Sequence, residues 1–316
     1  MTAPTTALEP GARPLFDPGR TRGRGSVDLV RSFRTAAALG WKMEANWTDP
    51  LLFFIYSVAK PISAALILVA MLEVITGASG REFRGFVVVG SALWSFVISG
   101  IAGLAWSVLD DRERYRMLKY VYVSPSDFVV VLLGRGTARI AVGAMGAAIT
   151  LAVGVLLLGV AFDPLAVDWR LLVVTMALGL HAIVVIGLLL AAVCLQTRQE
   201  SWSYPEAVAG ALFLVSGAVF PLAVLPAPIQ VIGLLNPLSW WLEGCRRALF
   251  PDGASSVGGT GSVYAELSGR LAPDAPTIVL ALLVTGALVT LGGAVVFRWS
   301  ERRAKDRGLI DQTTGS

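Results

Sequence analysis

Apolar residues in this chain gather into long runs instead of recurring at the short intervals of a soluble core. Such runs fall near residues 51–76, 86–109, 128–160, 171–195, 207–235 and 277–298. A hydrocarbon core about 30 Å thick needs roughly 20 apolar residues per helical crossing, so six hydrophobic segments follow. Pro221, Pro226 and Pro228 interrupt the fifth run. That predicts a crossing at about 207–222 and then, at about 223–250, a helical hairpin that re-enters the membrane from outside without spanning it. Ahead of the first run, Val27, Val30, Phe33, Ala37 and Trp41 recur at helical spacing, with Arg31, Arg34, Lys42 and Glu44 between them. This pattern predicts an amphipathic helix on the membrane surface, with Trp41 and Trp47 at headgroup depth. A soluble lead-in to the first span is the plainer alternative.

Polar punctuation divides these runs. Thr48-Asp49-Pro50 and Asn236-Pro237 pair a capping side chain with a proline in the first turn, both helix-start signals. Ser124-Pro125-Ser126-Asp127 does the same before the third run: Ser124 is the predicted N-cap, Pro125 the first helical residue, and Asp127 sits near the positive end of the helix dipole. Between the second and third runs, Asp110 to Tyr120 is expected to form a short separate helix. The Gly/Ser-rich stretch 252–262 reads as a flexible outer loop. The expected fold is therefore all-α and polytopic. A single transmembrane domain over 26–300 lies between a polar tail at 1–25 and a basic tail at 301–316.

Composition agrees: 55% of residues are apolar, 15% are charged and mean hydropathy is +0.69, values of the membrane class. The net charge of +4 says less than where the charges lie. Basic residues cluster in the N-terminal segment, at Arg112 to Lys119 and in the C-terminal tail, and the positive-inside rule places all three in the cytoplasm. Nucleic-acid binding would need a basic patch on a soluble domain, and the sequence offers none. Cys194 and Cys245 are expected at opposite sides of the membrane, too far apart for a disulfide. No apolar signal-peptide core occurs in the first 40 residues, so the first span is expected to direct its own insertion.

Candidate chemistry is sparse. There is no phosphate-cradling P-loop, no H-E-x-x-H and no G-x-S-x-G, so neither a catalytic nor a metal site is expected. Carboxylates fall near segment ends and not mid-span, which disfavours an ion-coupled carrier. His181 lacks ligand neighbours in sequence and reads as a buried or hydrogen-bonded residue. Lys60, beside Pro61 in the first run, is a costly intramembrane charge for which a pathway role is the default reading. Alternatively it faces the bundle interior or snorkels, while Pro61 kinks the helix.

Two motifs carry a family resemblance. The segment DDRERYRMLKYVYVSPSDFVVVLLGR, from Asp110 to Arg135, resembles the stretch between the second and third spans of type-2 ABC exporter permeases, where an acidic-basic run leads to a Ser-Pro turn and a Gly-Arg. The segment LLNPLSWWLEGCRRALF is similar to that family's outer Asn-Pro-Leu motif followed by Glu-x-x-Arg. Tyr115-Arg116-Met117 replaces the family's Gly-Thr, and Gly244-Cys245-Arg246-Arg247 surrounds the expected arginine.

The resemblance implies a permease subunit with no cofactor of its own. ATP and Mg would be bound by a separate cytoplasmic ABC ATPase, present in two copies, on a homodimer or a heterodimer with a second permease. It implies a bacterial cytoplasmic membrane with both termini inside. Asp111, Arg112, Glu113, Arg114 and Tyr115 would form the coupling helix that receives the ATPase. Pro221, Asn236, Pro237 and Glu243 would belong to the outer re-entrant gate. The expected cargo is a hydrophobic small molecule, drug or lipid. A lipid-linked polysaccharide, stacked on Trp94, Trp106, Trp240 and Trp241, is the alternative, and an autonomous carrier or channel is the alternative of another class.

Overall fold

The computed structural model describes residues 26–45, 81–124, 126–196 and 203–306, with scattered positions between 51 and 74. The described residues are helical or irregular, without strands. Four helical stretches among them are long and apolar enough to cross a bilayer: Phe83–Arg114, Phe128–Leu156, Trp169–Gln196 and Ala275–Ala304. Half of the predicted first span, including Lys60 and Pro61, lies outside the described residues, as do Trp47, the Thr48–Pro50 cap and Pro125.

In chain order the helices are α1 (Ser26–Ala45), α2 (Arg81–Val97), α3 (Gly103–Leu109), α4 (Leu118–Val123), α5 (Phe128–Leu156), α6 (Trp169–Gln196), α7 (Ser203–Val215), α8 (Ala227–Leu235), α9 (Pro237–Leu249), α10 (Val263–Ser268) and α11 (Ala275–Asp306). A π-helical turn at Ile98–Ala102 joins α2 to α3, and a second, Asp110–Arg114, extends α3. Each wide turn adds a residue and rotates the face that follows. The whole is one rod, about 50 Å long at roughly 1.5 Å per residue.

Three expectations are corrected here. Asp110–Arg114 does not begin a separate helix but continues the second span; the short separate helix is α4, further on. Ser124 ends α4 and does not cap α5, whose N-cap is Asp127, accepting from the Val129 amide at 3.0 Å. Asp127 wins because its extended backbone places the carboxylate two residues before a free amide. The fifth span is also shorter than the run of apolar residues suggests, since α7 ends at Val215, before Gly217 turns the chain with φ of +73°.

Helix α1 packs along α5 through small residues. A Cβ on Gly134 would lie 2.7 Å from the Ala36 Cβ, and Gly40 sits against the Arg135 backbone. The predicted apolar stripe is divided by this contact. Phe33 and Ala37 are partly buried, whereas Val30 and Trp41 are exposed by 58% and 46%. Ala36 and Gly40, one turn apart, permit a backbone approach that a stripe of large residues would prevent.

At the Phe83 end of the bundle, α8 and α9 form a helical hairpin. Asn236 caps α9, accepting from the Leu238 amide at 3.1 Å, and Pro237 takes the first turn, as the sequence predicts. Helix α9 runs antiparallel to α6: Trp241 fills the notch at Gly179, Cys245 meets Thr175 at 3.8 Å, and Ala248 accepts from the Asp168 amide at 3.0 Å. Any Cβ on Gly179 would overlap the Trp241 indole. Gly179→Ala is therefore expected to destabilise the protein by about 1–3 kcal/mol through overpacking. Trp241→Leu in the same chain should recover part of the loss, as read by thermal unfolding of the detergent-purified chain.

Candidate functional site

The predicted coupling residues lie where the rod ends. Because the π-turn closes through the Tyr115 amide to the Asp110 carbonyl at 2.8 Å and the Met117 amide to the Asp111 carbonyl at 2.9 Å, successive charged side chains point to different neighbours. Asp111 is buried and accepts from Arg135 of α5, which also donates to the Ser107 carbonyl at 3.3 Å. Asp110 accepts from Arg139 at 2.9 Å, and the same Arg139 nitrogen lies 3.0 Å from Glu44 of α1. Arg112 is buried as well, donating to Glu113 at 2.7 Å and to the Cys194 carbonyl of α6 at 2.9 Å. The segment thus ties α1, α3, α5 and α6 together at one end.

Beyond these locked charges the chain emerges. Arg114, Tyr115 and Arg116 are exposed. The Arg114 guanidinium sits 5.7 Å from the centre of the Tyr115 ring. Arg116 adopts φ of +50°, a left-handed conformation uncommon for a long side chain, and so reverses the chain. Leu118 then buries itself under the bundle. Tyr122 stacks on Phe128 with ring centres 4.6 Å apart, and burial pushes its hydroxyl above the ordinary tyrosine range. The exposed turn is therefore short, with buried anchors on both sides.

The predicted gate residues gather at the opposite end. Pro221 is partly buried, while Asn236, Pro237 and Glu243 are buried. Glu243 accepts from the Ser256 amide at 2.5 Å, the Ser256 hydroxyl at 2.8 Å and the Val257 amide at 3.4 Å. It also lies 3.7 Å from Arg247. The Gly/Ser-rich stretch expected to be flexible is thereby pinned: Ser256, Val257 and Ser262 are buried, and the Gln230 side chain accepts from the Val263 amide at 2.8 Å. Three donors converge on one carboxylate, an attraction that turn composition does not reveal.

Sequence reasoning missed Arg135 and Arg139 as partners of the aspartates, Glu44 as a second carboxylate on Arg139, and Arg246 altogether as a structural clamp. Arg246 is buried over the Phe86 ring at 3.6 Å, donating to Gly217 at 2.7 Å, to Phe86 at 3.2 Å and to the Ala218 carbonyl. A usable signal existed for the first pair: two arginines four apart in an apolar run share one helical face and need acids opposite. His181 makes a 3.1 Å contact with Thr290 and is otherwise exposed. Cys194 and Cys245 are buried thiols not joined by a disulfide, toward different ends. Among the described residues no cluster of metal-ligating side chains occurs.

A family model described as ABC-2 type transporter matches residues 35–250, more than half of the chain. No curated protein matches it. The matched range contains the locked acidic-basic segment and ends just after Arg246.

Removing one partner of a buried ion pair strands the other charge and costs about 3–5 kcal/mol, whereas replacing both can be nearly neutral. Asp111→Asn is accordingly expected to lower the melting temperature of the purified chain sharply, and Asp111→Asn with Arg135→Met to restore most of it. Glu243→Ala should free the 252–262 loop, read as faster proteolytic cleavage there.

Proposed function

This chain belongs to the ABC-2 type transporter family, and on that premise we propose that it is the permease subunit of an ATP-driven exporter. It is a multi-pass membrane protein, and its family membership implies association with an ABC ATPase. The observation that carries the finer reading is the exposed turn Arg114–Arg116 at the end of a rod whose preceding charges are locked to three other helices. A push on that turn has no slack to take up. It passes into α5 through Asp111–Arg135, into α1 through Asp110–Arg139–Glu44, and into α6 through Arg112.

In this reading Asp111, Arg112, Glu113, Arg114 and Tyr115 form the coupling element facing the cytoplasm. The exposed pair meets the ATPase, and the buried members transmit the motion. Two ATPase subunits serve two permease halves, either identical or paired with a related chain. The α8–α9 hairpin, with Pro221, Asn236, Pro237 and Glu243, is the re-entrant outer gate. Its cap geometry and the carboxylate-pinned loop would let it move as one body. Both termini face the cytoplasm of a bacterial inner membrane, consistent with the basic residues near each.

The proposed cargo is a hydrophobic small molecule, drug or lipid. A glycan path is less well supported: Trp240 and Trp241 are buried, Trp240 donating to the Leu234 carbonyl at 2.7 Å, and Trp94 packs on Phe213 at 4.8 Å. Indoles committed to the core are not free to stack on sugars. For Lys60 both sequence readings stand, a pathway charge and an inward-facing or snorkelling residue, and transport at the normal rate by Lys60→Met would dispose of the first.

Arg114→Ala with Tyr115→Ala removes exposed side chains only. In a complex with the ABC ATPase partner, this variant is expected to keep its melting temperature while permease-stimulated ATP hydrolysis falls at least about tenfold, a loss of some 1.4 kcal/mol of coupling. Undiminished stimulation would refute the coupling assignment.

A further inference from the structure

At the Phe83 end of the bundle a cleft of about 290 Å³ lies between α2, α5 and the end of α9, and every residue lining it is apolar. Val88 and Val89 of α2 form a buried floor, while Val155, Leu156 and Phe162 are exposed at the lip. Phe250 makes a wall, its ring edge-on to Phe162 with centres 6.1 Å apart. Gly85 marks the rim, where a Cβ would lie 3.6 Å from Val160 and 3.9 Å from the Phe250 ring. Beside it Arg84 pairs with Glu73 and donates to the Leu158 carbonyl at 3.3 Å. One cation answers one carboxylate, so the rim favours neither charge.

The depth of the cleft limits what can fill it. Val88 and Val89 lie one to two turns into the membrane-length stretch that starts at Phe83, about 8 Å along its axis. Val155 and Leu156 belong to the last turn of another such stretch. A trapped water needs about two to four polar partners, and an apolar cavity on the order of 150 Å³ stays dry and takes up apolar molecules instead. No lining side chain here offers a hydrogen bond. Left empty, the walls would forfeit their dispersion contacts on one side. The medium in contact with the exposed lip is the hydrocarbon of the bilayer.

We propose that this cleft seats one acyl chain of a bilayer phospholipid, in the leaflet opposite the Arg114 turn. Recognition is of the chain and not of the headgroup, because the lining is apolar and the rim is balanced. A seated chain packs on α2 and on Phe250, the C-terminal cap of α9, at once. A lipid thereby becomes part of the footing of the α8–α9 hairpin. The inference uses only the membrane location of the helices, so it stands or falls apart from the permease reading.

The test is photo-labelling of the full chain in nanodiscs by a phosphatidylcholine with a diazirine near the end of one acyl chain, adducts being mapped by mass spectrometry. Val88 and Val89 are shut off from bulk lipid, so adducts there require a chain inside the cleft, whereas the exposed Leu280 and Leu291 of α11 report bulk lipid. Adducts on the floor are expected. Ala152→Phe, which adds a ring at an exposed lining position, should reduce them at least about fivefold and leave the α11 adducts and the melting temperature unchanged. Phosphatidylglycerol with the same chain should label the floor equally. Adducts confined to α11, as would follow if protein closed the cleft, or floor adducts undiminished in Ala152→Phe, would overturn the site. Floor labelling by only one of the two headgroups would overturn recognition through the chain.

Discussion

A charge that leaves water must be neutralised where it comes to rest, and in this molecule the acidic residues at the end of one rod meet that requirement with arginines from the next helix. Asp111 with Arg135, and Asp110 with Arg139 and Glu44, are set by this rule. Such pairs contribute little net stability compared with apolar side chains of similar size. Their effect is on register: α5 cannot slide or rotate against α3 without stranding a charge. The π-turn at Asp110–Arg114 belongs to the same solution, since a wider turn lets consecutive charged residues reach helices on different sides.

The other end of the bundle applies the rule differently. There Glu243 and Arg246, three residues apart on α9, are both buried, yet each is satisfied mainly by backbone groups. The carboxylate gathers amides from a loop and the guanidinium gathers carbonyls from the chain after α7. One end therefore locks helices to one another, while the other binds loops to a short helix. The long rod of α2 and α3 connects them, reaching Arg246 through Phe86 and α5 through Asp111. Under the proposed permease reading, this division would let force taken up at one end move the compact cap at the other.

Much of the architecture was legible in the sequence because run length against bilayer thickness is a strong constraint. The ends of α5, α6 and the hairpin helix α9 fall close to where apolar runs and Asn236-Pro237 place them. The apolar run through 207–235 failed as a guide to α7 because hydrophobicity does not distinguish a crossing from a buried turn, and a positive φ at Gly217 ends the helix early. Ser124 looked like the better cap, but capping depends on backbone geometry, and that geometry favours Asp127. The charged residues Asp111–Tyr115 were singled out through motif and charge. Their partners were not, because Arg135 and Arg139 lie about 25 residues further on and read locally as ordinary positive-inside charges. Glu243 was identified for its motif, while its grip on Ser256 required knowing that the Gly/Ser-rich loop folds back.

The central claim is that force from an ATPase enters at the exposed turn after Arg114, and proximity tests it most directly. A photo-reactive side chain placed at Tyr115, 41% exposed, should cross-link to the ATPase subunit in the assembled complex. The same group at Leu165, 95% exposed in the loop at the opposite end, should not. Cross-linking at Leu165, or its absence at Tyr115 in a complex that hydrolyses ATP, would contradict the account.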